Sequence, residues 1–71
     1  MIIYGKNSCY EYLKKGLKVK KLYLDRNFSD KKIISLMENL NIRPCFYTKF
    51  ELDRLANENH QGIIIDAGEY R

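Results

Sequence analysis

Leu55-Ala56-Asn57-Glu58-Asn59-His60-Gln61-Gly62-Ile63-Ile64-Ile65 is the stretch on which the fold turns. A helical pattern ends at Ala56, a polar loop follows, and three consecutive isoleucines close the segment. An unbroken β-branched run predicts a strand buried on both faces, the kind that lies inside a sheet covered by helices. The loop carries the single histidine of the chain beside a glutamine, two side chains that both donate and accept hydrogen bonds. Gly62 allows a tight turn or the close approach of another backbone. Two readings are open for this junction: a surface built for recognition, and a turn that satisfies its own backbone.

Working outward, Thr48-Lys49-Phe50-Glu51 has capping-box form, and Tyr47 is placed to pack on Leu52 as a hydrophobic staple. A short helix running to about Ala56 follows from it. Arg43 to Tyr47 reads as a third strand, with Pro44 near its start or on a sheet edge. Ile33, Ile34, Met37 and Leu40 recur at helical spacing and form one apolar stripe, with Ser29 as the expected cap and Asn41 as a left-handed terminator. Lys18 to Leu24 reads as a second strand with a basic entry, and Asp25-Arg26-Asn27 as its exit. Ser8-Cys9-Tyr10-Glu11 has the form of another capping box, opening a helix whose Cys9, Tyr12 and Leu13 share a face and which Gly16 ends. Ile2-Ile3-Tyr4 is a short first strand. Tyr4, Tyr12, Tyr23 and Phe46 fall at core positions, while Tyr10 and Phe28 are freer.

The resulting order, β-α-β-α-β-α-β, predicts a small α/β domain with a four-stranded, mostly parallel, mixed sheet flanked by helices. The chain has 71 residues, enough for one domain that buries about 60 % of its unfolded surface. Its charge is uneven. Residues 1–26 hold Lys6, Lys14, Lys15, Lys18, Lys20, Lys21 and Arg26 against only Glu11 and Asp25, whereas acids slightly outnumber bases in residues 27–71. A basic surface attracts polyanions by counterion release, which makes nucleic acid the first candidate partner. Lys14 and Lys15 also have a structural reason, since they complement the carbonyl end of the first helix.

Cys9 and Cys45 lack metal-site or redox-motif spacing, so neither a disulfide framework nor a metal is expected. The amino-terminal residues lack the apolar region of a signal peptide, and no apolar run approaches a membrane span. A reducing cytoplasm is the expected location. His60 has no partner at catalytic or ligand spacing, and the chain on its own is not expected to be a catalyst. Gly5-Lys6-Asn7 at a strand-to-helix turn offers free amides and a lysine to a phosphate. Arg26 with Phe28 forms the best stacking pair, and His60 and Gln61 suit base edges or 2′-hydroxyls.

The segments Ile3-Tyr4-Gly5-Lys6-Asn7 and His60-Gln61-Gly62, taken together, resemble the substrate-binding domain of the SpoU (TrmH) family of RNA 2′-O-ribose methyltransferases. Members open with a strand, Gly-x-Asn and an amphipathic helix, and close with Glu-His-Gln-Gly-Val/Ile entering a strand. Here Asn59 stands in place of the acid, and Cys9 and Tyr12 stand where Val and Ala are common. The resemblance implies the topology of kink-turn-binding ribosomal proteins, with one strand antiparallel to the rest. It also implies an RNA partner, ribosomal RNA above all. Together with the residue reading above, the expected RNA contacts are Gly5, Lys6, Asn7, Arg26, Phe28, His60, Gln61 and Gly62. No cofactor is expected in this chain. S-adenosylmethionine would belong to a separate catalytic domain, through which the whole protein would dimerise. Residues 1–67 would form the RNA-binding domain and 68–71 the start of a linker. Two rival readings are a docking module that meets a partner through its third strand, with Pro44 guarding the edge, and a freestanding ribosomal kink-turn binder.

Overall fold

The computed structural model describes residues 1–68. They form β1 (Ile2–Tyr4), α1 (Lys6–Lys14), β2 (Lys21–Asp25), α2 (Lys31–Asn39), β3 (Cys45–Tyr47), α3 (Lys49–Leu55) and β4 (Ile63–Asp66). Strand order across the sheet is β1-β4-β2-β3. β2 and β3 run parallel, placing Leu24 beside Phe46. β4 pairs antiparallel with both β1 and β2, with Ile65 opposite Ile3 on one side and Leu22 on the other. Three strands therefore point one way and β4 alone points back, as expected of a mostly parallel, mixed sheet with one reversed strand. Because β4 is inserted between β1 and β2, that single reversal makes two of the three pairings antiparallel.

The two-residue period of the strands sorts the core into two layers. Leu22, Leu24, Ile63 and Ile65 face Cys9 and Leu13 of α1 and Ile33 and Met37 of α2. Tyr23 and Ile64 face the other way, onto Leu52 of α3 and Ala56 just past its end. All three isoleucines of β4 are fully buried, which is why this run carries no polar residue. The Tyr23 and Tyr47 rings lie 4.8 Å apart in a tilted pair and extend the smaller layer.

Several local expectations shift. β2 and β3 begin at Lys21 and Cys45, later than the apolar pattern suggests, and β3 is an edge strand that leaves Pro44 outside the ladder. Asp30, not Ser29, caps α2, its Oδ1 accepting from the Lys32 and Ile33 amides at 3.1 and 3.3 Å. Asn41 does take the left-handed conformation after α2, at φ 57°. The Thr48–Glu51 box is complete, and Tyr47 packs on the layer containing Leu52. Ser8 caps nothing: α1 starts earlier, at Lys6, with Gly5 at its N-cap. Tyr4 and Phe46, expected in the core, are 39 % and 57 % exposed, because they sit on the two edge strands, beyond the cover of the helices. Of the expected linker, residues 69–71 lie outside the described residues. Among the described residues, no helix is long and apolar enough to cross a membrane.

Candidate nucleic-acid interface

β1, β2 and β3 end, and β4 begins, at one end of the sheet, the end where open α/β sheets gather ligands. Here the loop before β4 closes on the turn after β1. The Gly5 amide, at φ 90°, is shared between the His60 and Ile63 carbonyls at 3.2 and 3.3 Å. Gln61 Oε1 accepts from the Lys6 amide at 2.8 Å, so the first turn of α1 is capped from 55 positions downstream. A Cβ on Gly5 would lie 3.4 Å from that same Oε1. The two sequence motifs are thus halves of one joint.

The joint is shaped by a tight turn. The Ile63 amide donates to the His60 carbonyl at 3.1 Å, and the two central residues, Gln61 and Gly62, have φ 56° and 85°. Positive φ at both positions is the type I′ pattern. It costs a residue with a side chain about 1–2 kcal/mol, which the α1 cap made by Gln61 offsets. Gly62 is also closely packed, since a Cβ there would lie 3.3 Å from the Asp25 Cβ, tighter than an ordinary contact, and 3.4 Å from Phe28.

This turn folds the imidazole of His60 inward. The residue is only 6 % exposed, which departs from a histidine displayed for base contacts. His60 Nδ1 accepts from the Gly62 amide at 2.9 Å, so the ring proton belongs on Nε2, which donates to Asp53 Oδ1 at 2.6 Å. Both ring nitrogens are engaged within the fold. His60 fastens the loop to α3, and Gln61 fastens it to α1. Sequence reasoning had no access to this clasp, because Asp53 carries no local signal marking it as a histidine partner.

Above the clasp lies an open cleft of about 400 Å³, lined by Lys6, Asp25, Asn27, Phe28, Ser29, Lys49, Asp53, Glu58, Asn59, His60, Gln61 and Gly62. Of the expected contact residues, it brings together Lys6, Phe28, His60, Gln61 and Gly62, with Gly5 packed against Gln61. Asn7 and Arg26 are exposed nearby but do not line it. Phe28 is half-buried against the α1/α2 core, and the cation over its ring is Lys6, at 5.9 Å. Asn27, Ser29, Lys49 and Asn59 were not singled out from sequence. Lys49 had a usable signal, the opening position of a boxed helix at the strand carboxyl ends. Asn27 is set by an Asx turn, its amide donating to Asp25 Oδ1 at 2.8 Å.

The cleft mixes two lysines with three carboxylates, one of them tied to His60. Such a lining suits polar edges and hydroxyls as well as phosphate. Cys9 does not line the cleft: the residue is buried in the core, and burial pushes its thiol up to about 12. Among the described residues, no group of three His, Cys, Asp or Glu side chains is placed to hold a metal ion.

Comparison with known proteins places the chain in a family. A family model described as RNA 2′-O ribose methyltransferase substrate binding matches residues 2–71, a span that holds both halves of the clasp. The 23S rRNA (guanosine-2′-O-)-methyltransferase RlmB of Coxiella burnetii is 36 % identical over 55 residues, covering 73 % of this chain and 22 % of that relative. The chain thus spans about a fifth of the length of the curated relative that it matches. With a match over nearly its whole length, the chain belongs to the SpoU family of RNA 2′-O ribose methyltransferase substrate-binding domains.

Proposed function

We propose that this chain is the RNA-recognition domain of an S-adenosylmethionine-dependent guanosine 2′-O-methyltransferase that acts on ribosomal RNA in the cytoplasm. The observation that carries the reading is the clasped cleft at the strand carboxyl ends, in a chain matched to the family from residue 2 onward. In this reading, Lys6 and Lys49 hold phosphates, while Asn27, Ser29 and Asn59 meet base edges and 2′-hydroxyls, the usual division between positioning and readout. Asn7 and Arg26 flank the cleft and reach the backbone of a longer RNA. Gly5, His60, Gln61 and Gly62 keep the two loops in register. The methyl donor belongs to a separate domain, through which the whole protein dimerises.

The test is to titrate the chain into a labelled ribosomal RNA hairpin at two salt concentrations, with duplex DNA as competitor. Salt-sensitive, RNA-preferring binding is expected. The K6Q/K49Q variant should lower the salt slope by about 0.9 for each phosphate it no longer neutralises. N59A should instead narrow the preference for the cognate loop, and equal losses for every RNA tested would refute the readout role.

One observation favours a second reading, a docking module. Phe46 is 57 % exposed on edge strand β3, beside an apolar groove of about 300 Å³ that includes Ile34, Met37, Ile42 and Pro44. If docking is the main role, F46S should reduce methylation by the full-length protein while leaving RNA binding by this chain unchanged.

A further inference from the structure

The basic residues that crowd the front of the sequence do not gather at the cleft. α1 starts at the cleft with Lys6 and carries the chain to the opposite end of the sheet, about 12 Å away by helix rise. There Lys14 and Lys15 end the helix, Lys18 and Lys20 lie in the connection, and Lys21 opens β2. All five are exposed. Among the described residues, no carboxylate lies within ion-pair distance of any of the five, although Asp66 stands opposite Lys21 in the sheet and Glu11 shares α1 with Lys14.

We propose that Lys14, Lys15, Lys18, Lys20 and Lys21 form a second contact surface for the RNA sugar-phosphate backbone, at the pole opposite the cleft. Only the identity of the partner rests on the RNA-recognition reading. Favourable interaction with the helix dipole accounts for Lys14 and Lys15, but not for three further lysines outside the helix. The connection that carries them is held in place. The Tyr12 hydroxyl donates to the Lys18 carbonyl, and the Lys20 amide donates to the Asp66 carbonyl at 2.9 Å. Val19 packs onto the core between its charged neighbours. A dense set of lysines on an anchored segment suits a polyanion. Lysine is depleted at protein–protein interfaces, whereas phosphate contacts are made by lysine and arginine.

A domain with charge at both poles and a longest dimension of 30 Å should hold more than a loop. It should grip the stem beyond it.

The test is an amide NMR titration of the chain at low salt with a stem-loop RNA and, separately, with its stem duplex alone. Amide shifts at residues 14–21 with both RNAs are expected. Replacing all five lysines by Gln should weaken stem-loop binding about tenfold or more and reduce the salt slope by about 0.9 for each phosphate left without its lysine, in a variant that stays folded and loses no more thermal stability than K14Q/K15Q, which removes the charges at the end of α1. Shifts confined to the cleft, with the variant binding as tightly as the wild type, would overturn the second surface and leave the RNA-recognition reading standing. Shifts confined to residues 14–21 would support the second surface and count against the cleft. No shift anywhere would overturn both. If the variant binds RNA normally but the same changes abolish methylation in the full-length enzyme, the lysines serve a protein contact and the proposal falls.

Discussion

Helices α1 and α3 both begin at the cleft, yet their first turns are satisfied by opposite means. α3 is capped by its own sequence: Thr48 Oγ1 accepts from the Glu51 amide at 3.2 Å, and Glu51 Oε1 accepts from the Thr48 amide at 3.1 Å. α1 receives nothing from its own residues, and Gln61 supplies the acceptor across 55 positions. The local cap can form as soon as one turn of helix does, whereas the remote cap forms only once β4 is docked beside β1. The α1 start therefore reports on tertiary structure, and the α3 start on local chemistry. Putting the remote cap at the cleft makes the shape of the cleft depend on the whole sheet being closed.

The comparison can be broken at its most buried point first. H60A should destabilise the chain by about 3 kcal/mol in urea unfolding, since it removes a buried ring and leaves the Gly62 amide without its partner. A loss no larger than that of T48A would show that the clasp contributes little. G5A comes next, at about 2 kcal/mol, because φ 90° disfavours a residue with a Cβ. A wild-type midpoint for this variant would mean that the turn after β1 is not held as described.

The two caps should cost about the same when deleted, near 1 kcal/mol each for T48A and Q61A, but hydrogen exchange should separate them. T48A should expose the Glu51 amide alone. Q61A should speed exchange at Lys6 and also at Gly5, since the joint loosens as a unit. Exchange confined to Lys6 would make the remote cap as local in effect as the other. Smallest of all is S8A, expected within about 0.3 kcal/mol of wild type because Ser8 lies inside α1 and makes no cap. A cost near 1 kcal/mol would restore the Ser8–Glu11 box and remove the contrast between the helices.

The same contrast explains what was legible beforehand. The Thr48 box, the Asn41 terminator and the fully buried Ile63–Ile65 run could all be read because each depends on residues within about one turn or on a period of two. Ser8 misled because its spacing to Glu11 is right for a box, but Gly5 and Gln61 start the helix earlier. Ser29 lost the α2 cap to the adjacent Asp30, a shift of one position that the apolar stripe does not resolve. Arg26 and Phe28 could be paired from sequence because they are two positions apart, whereas the Lys6 ammonium that lies over the Phe28 ring comes from 22 positions away and leaves no local pattern.

By itself, the sequence determined the order of the seven elements, the strand that would be buried on both faces, the self-capped α3 and the two motifs that mark the family. Hydrogen bonds and packing between close neighbours are encoded by close neighbours, and such patterns survive without a fold. Only the tertiary structure decided that β4 runs back between β1 and β2, that His60 and Gln61 turn their polar atoms into a clasp, and that the basic front divides between two poles. Each of those outcomes joins residues separated by a long stretch of chain. The contact exists only after the loop-closure entropy has been overcome by burial elsewhere in the sheet, so no local pattern records it.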